Sequence, residues 1–186
     1  MLVARENKTV LYSDDLRLRQ YAQAEWQVRG IWTQSVLRQM LQKQLLTEDE
    51  YCDAVTKLFW LNYRHVSINA HDLMWALKQD GMEITPRVMR LFTVLQGPDC
   101  SEESAALVVA DLIRSVWLES AIVSTRQFVL ELALDSLTTR HPASSALLKL
   151  KQALQPRFAL IPQAIPEIYQ TIDLFRRQRL SFRLRP

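Results

Sequence analysis

Strand-forming patterns occur only in the first 68 of the 186 residues, and this asymmetry limits the chain to a small mixed segment joined to a larger helical one. Val10-Leu11-Tyr12 is an apolar run of β-preferring type. It meets a helical pattern at Leu16, Leu18, Tyr21 and Ala22 through Ser13, Asp14 and Asp15. Ser13 or Asp14 suits the helix N-cap, because a short oxygen-bearing side chain can accept from the unpaired amides of the first helical turn. Val28-Arg29-Gly30-Ile31-Trp32 reads as a second strand, and Thr33 opens another helix in which Val36, Leu37, Met40 and Leu41 recur at helical spacing. The order β-α-β-α, with about a dozen residues between strands, predicts parallel neighbours joined by a helical crossover.

Thr47 and Glu50 form a capping box for the next helix, with Tyr51, Ala54, Val55, Leu58, Phe59 and Leu61 on its apolar side. His65 to Ile68 alternates and is the last strand candidate. Asn69 then turns into a helix ended by Asp80-Gly81. Beyond Gly81 the patterns are helical throughout: from Pro86, from Ser101, from Thr125 to Thr138, from Ser144 to a stop at Pro156, and from Glu167 to Arg179. The fold class is therefore an α/β N-terminal part of short parallel strands with helices, about residues 1–80, followed by an all-helical region, 81–186, and mainly α overall. Three glycines in the whole chain disfavour a loop-rich sandwich or barrel.

No apolar run is long enough to span a bilayer and no signal-peptide pattern opens the chain, so a cytoplasmic protein without a membrane partner is expected. Cys52 and Cys100 lack the spacing of a disulfide framework or zinc site and are expected as buried free thiols. The formal charge is +3, but Arg176, Arg177, Arg179, Arg183 and Arg185 lie in a terminal stretch without acids, and without them basic residues no longer outnumber the 20 acidic ones. That tail is either a solvated chain end or a contact for phosphate or an acidic surface. The spacing of His65 and His71, with Asp72 beside the second, does not put both histidines on one helical face and points to a structural role, and His141 before Pro142 is expected to be exposed. Trp60, Trp75 and Trp117 sit at core-type positions, whereas Trp26 and Trp32 flank the second strand.

The runs V-L-Y-S-D-D-L-R-L-R-x-Y-A, V-R-G-I-W-T-Q-S-V-L and L-x-K-Q-L-L-T-E-D-E-Y, spread over residues 8 to 60, resemble the C-terminal half of a PIN-type nuclease domain. Ser13, Asp15 and Leu18 match the family's Ser/Thr-x-Asp-x-x-Leu step at a strand end. Gly30, Thr33 and Leu45-Leu46-Thr47 match its later turns. The resemblance implies a metal-dependent ribonuclease in which several carboxylates hold Mg²⁺ or Mn²⁺, the ion activating water and stabilising the charge on phosphate. Asp15 takes the place of the family's acid, Asp14 assists, and Ser13 supports the step. The family's upstream acids have no counterpart here, and Glu6 does not replace them. A module completed by another stretch of chain or by another polypeptide, and a module that has lost catalysis, are both open. The alternative function is a non-catalytic helical interaction or scaffold module with a protein partner or a second copy.

Overall fold

A computed structural model describes residues 2–183 except 62, 64, 65, 98, 99, 120 and 121. The chain forms two compact units, Met1–Val66 and Ser67–Pro186. Among the described residues, helices dominate and the strands number two.

The first unit contains helix α1 (Leu2–Glu6), strand β1 (Leu11–Tyr12), α2 (Leu16–Trp26), β2 (Gly30–Ile31), α3 (Thr33–Gln42) and α4 (Glu48–Trp60). β1 and β2 pair in parallel with Leu11 opposite Gly30 and Tyr12 opposite Ile31. The ladder is carried by Leu11 N–H to the Arg29 carbonyl at 2.8 Å and Ser13 N–H to the Ile31 carbonyl at 2.9 Å. The predicted β-α-β-α order is thus present. α2 ends on Gln27 in the left-handed conformation, φ 54°. That turn returns the chain toward the sheet, with Val28 N–H on the Ala22 carbonyl at 3.1 Å. α4 begins with the predicted capping box: Glu50 N–H donates to Thr47 Oγ1 at 3.2 Å and Thr47 N–H to Glu50 Oε2 at 2.8 Å. Glu48, Asp49 and Glu50 place acid at the positive end of the helix dipole.

The apolar core of this unit is thin. Ala22, Val28, Tyr51, Cys52 and Val55 are buried, whereas Val36, Leu37, Met40 and Leu41 of α3 are only half-buried. The predicted stripe of α3 is therefore only partly covered. The third strand candidate is corrected: Val66 to Asn69 is irregular, since among the described residues no strand pairs with it and Asn69 instead caps the following helix; His65 lies outside the described residues.

The second unit contains α5 (Ala70–Gln79), α6 (Pro86–Phe92) with a 3₁₀ turn at Thr93–Gln96, α7 (Glu102–Glu119), α8 (Val123–Arg140), α9 (Ala143–Arg157), a 3₁₀ turn at Pro162–Ala164, and α10 (Ile165–Arg183). The sequence reading grouped residues 70–79 with the first eighty; α5 packs against α7. α7 is the centre, packed by α5, α8 and α9. Its buried set, Ala105, Ala106, Val109, Ala110, Leu112, Ile113, Val116 and Trp117, repeats at helical spacing over a wide face. Three alanines in that set leave room for close neighbours. Val129, Leu130, Ala133, Leu134 and Leu137 of α8, and Ala146, Leu147, Leu150 and Leu154 of α9, complete the core with Ile168 and Ile172 of α10.

Polar ties also join the helix pairs. Arg157 grips Asp111 with two bonds, Nε at 2.6 Å and NH2 at 2.9 Å, and Arg114 Nε donates to the Arg157 carbonyl at 3.1 Å. Lys151 meets Asp173 at 2.8 Å, and Tyr169 Oη donates to the Lys151 carbonyl at 2.9 Å. Pro156 lies within the last turn of α9 instead of ending the helix ahead of it.

Burial departs from expectation at several positions. Trp60 is 42% exposed, at the last residue of its helix, while Trp117 is buried as predicted. His141 is half-buried rather than exposed, and its Nε2 is shielded from solvent. Cys52 is a buried free thiol and Cys100 a half-buried one.

Leu150 has no exposed surface. Leu150→Ala is expected to lower the stability of the helical unit by about 2–5 kcal/mol, through lost transfer free energy and the cavity left behind, read from chemical denaturation. A pH dependence comes from the turn between α5 and α6. Burial works to raise the Asp80 carboxyl, but hydrogen bonds from Thr85 and Arg87, together with the Arg87 charge, outweigh it and hold the pKa below its ordinary value. A depressed carboxylate stabilises the native state above its unfolded pKa, about 3.9, and that contribution disappears as pH falls through the lower folded value. Asp80→Asn is expected to cost about 1–3 kcal/mol at neutral pH and to flatten the acid limb of stability against pH.

Candidate functional site

The two adjacent carboxylates stand where β1 gives way to α2, at the C-terminal edge of the parallel pair, which is where open α/β sheets bind ligands. Each is held by a helix N-terminus. Asp15, with φ −78° and ψ 111°, is the N-cap of α2, and its Oδ1 accepts from Arg17 N–H at 2.8 Å and Leu18 N–H at 3.2 Å. The cap is therefore Asp15, one or two residues later than Ser13 or Asp14. Ser13 supports it from behind, its Oγ accepting from Asp15 N–H at 3.1 Å.

Asp14 reaches across to the other helix. Its Oδ1 accepts from Thr33 N–H at 2.9 Å and its Oδ2 from the Thr33 hydroxyl at 2.8 Å. Since that hydroxyl proton goes to Asp14, the Tyr12 hydroxyl, 2.6 Å away, is the donor to Thr33 Oγ1. The N-cap of α3 is Trp32, whose side chain caps nothing, so a residue nineteen positions upstream supplies what the local sequence lacks. Thr33, expected as the cap, is instead the first helical residue and the receiver of Asp14.

Arg19 closes the arrangement. Though charged, it is only 8% exposed. Its NH1 donates to the Ser13 carbonyl at 2.7 Å, and its guanidinium carbon lies 4.9 Å from the centre of the Trp32 ring. The stem passes over Gly30 so closely that a Cβ there would lie 2.6 Å from Arg19 Cγ. Only glycine admits that approach, in line with strand glycines marking places where another group comes near. Arg19 and Trp32 went unnoticed as a pair in the sequence; the available signal was Gly30, a glycine inside an otherwise β-preferring run.

Asp14 has both oxygens engaged, and Asp15 has one, leaving Asp15 Oδ2 without a partner among the described residues. A hard divalent cation takes about six oxygen ligands. Among the described residues no group of three or more His, Cys, Asp or Glu side chains is placed to hold a metal ion. Glu6 is exposed on α1. Asp72 is buried and belongs to the capping box of α5, accepting from Asn69 N–H at 2.9 Å, while His71 is exposed beside it. No described helix is long and apolar enough to cross a membrane. Comparison with protein-family models, curated proteins and solved structures returns no match.

The carboxylates differ in what they hold, and truncating them separates the two roles. Asp15→Ala removes a local cap and is expected to cost about 1 kcal/mol. Asp14→Ala leaves the first amide of α3 and the Thr33 hydroxyl without their acceptor, and is expected to cost about 1–3 kcal/mol. The measurement is urea denaturation with helix loss followed by circular dichroism.

Proposed function

We propose that this chain is a non-catalytic interaction module, in which the β-α-β-α unit keeps a nuclease-like order while its carboxylates serve as helix caps, and the helical unit supplies a rigid body for binding protein. The observation that carries this reading is the task of Asp14: its two oxygens accept from the Thr33 amide and hydroxyl and so tie the end of β1 to the start of α3, a structural role complete without a metal ion. The thin core of the first unit points the same way. Val10, Tyr12 and Tyr21 are exposed around the strand pair, a disposition suited to burial against a second protein surface.

A second reading keeps the chemistry that the PIN-like resemblance implies. It rests on one specific observation, that Asp15 Oδ2 is uncommitted at the C-terminal edge of two parallel strands. In that reading Asp15 is one ligand of a Mg²⁺ or Mn²⁺ ion whose other ligands come from elsewhere, and the substrate is RNA.

Single-stranded RNA incubated with the full chain and Mn²⁺, beside Asp15→Asn, separates the two. The interaction module predicts no cleavage by either protein, no Mn²⁺-dependent rise in Tm, and self-association or partner-bound mass in light scattering. Cleavage by the natural chain that Asp15→Asn abolishes would establish the second reading in its place.

A further inference from the structure

Arg19 presents an unusual balance: a guanidinium sunk into the first unit with no carboxylate in ion-pair contact among the described residues. A buried charge of this kind normally has a counter-charge, because leaving water costs it several kcal/mol. The protein instead fixes it in place. Gly30 clears the path for its stem, the Trp32 ring lies beneath it, and the Ser13 carbonyl takes one N–H of NH1. The Nε–NH2 edge, which grips a carboxylate or phosphate through two parallel bonds, has no partner among the described residues.

Arg19 also lines an open groove of about 370 Å³, together with Gln20, Gln23, Ala24 and Gly30. Gln20 and Gln23 bring amide donors from α2 and no acid lines it. In the parallel ladder the bonds to β1 come from Arg29 and Ile31, so the backbone N–H of Gly30 points away from β1, on the free edge of the sheet. A preformed, partly desolvated guanidinium with neutral donors around it is a receptor for one oxyanion.

We infer that this groove is an oxyanion-binding site, taking a single carboxylate or phosphate group on the Nε–NH2 edge of Arg19 with Gln20, Gln23 and Gly30 as accessory donors. The site is separate in chemistry from the carboxylate pair: it attracts anions by fixed donors, whereas Asp14 and Asp15 are acceptors.

The probes are inorganic phosphate and acetate, added to the ¹⁵N-labelled full chain at constant ionic strength, with sodium chloride as the reference. Saturable shifts of the Arg19 Nε–H, the Trp32 indole N–H and the Gly30 amide are expected, with a dissociation constant on the order of millimolar, fitting one charge-assisted bidentate contact. Saturation by phosphate alone identifies a phosphate ligand, and by acetate alone a carboxylate one. Arg19→Gln is expected to abolish the shifts. Because that change also removes the tie to Ser13, Gln23→Glu is the deciding variant: Gln23 is exposed, and a carboxylate there competes for Arg19 and repels the probe, weakening binding about tenfold or more. Shifts that never saturate, that sodium chloride reproduces, or that persist unchanged in folded Gln23→Glu would overturn the assignment.

Discussion

Two strands of two residues each carry too few backbone bonds to hold a crossover in place, so the first unit depends on side chains bonded to distant backbone. Asp14 to Thr33 and Arg19 to Ser13 are two such ties. The first joins the end of β1 to the start of α3; the second pins α2 to the same strand end. An isolated strand pair is marginal in water. Here the helices are fastened to the strand ends by charge-assisted bonds, stronger than neutral ones. The same atoms that make the segment look like a reaction centre are thus the atoms that hold it in shape.

The helical unit has a different basis. Its order comes from apolar burial along α7, and its polar contacts, such as Asp111 with Arg157, bridge neighbouring helices at the surface. Surface ion pairs add little by themselves. Burial of alanine, valine, leucine and isoleucine across α7, α8 and α9 is the larger contribution, at about 25 cal/mol per Å² of apolar surface removed from water.

Local signals in the sequence were sufficient for most elements. Thr47 with Glu50, Asn69 before α5, Pro86 at the start of α6 and the acidic opening of α7 each mark a helix end by a mechanism confined to a few neighbouring residues. The errors lie where the deciding partner is remote. His65 to Ile68 has strand-like alternation, yet a strand exists only if another strand pairs with it. Thr33 looks like a cap by residue type, but Asp14 takes that work from nineteen residues away. Arg19 carries no local mark of burial, and only the coincidence of Gly30 and Trp32 makes it an interior residue. For the candidate site, the residue types were legible in the sequence, and the direction in which each oxygen points was not.

The central place of α7 also bears on how the helical unit breathes. Helices α5, α8 and α9 all lie on it, so its backbone amides meet water only when several neighbours have moved away together. Hydrogen exchange of such amides proceeds through the largest openings of the unit, whereas terminal turns fray at little cost. α7 would then be the slowest-exchanging segment of the unit, retaining its protons longest while the surrounding helices flicker open around it.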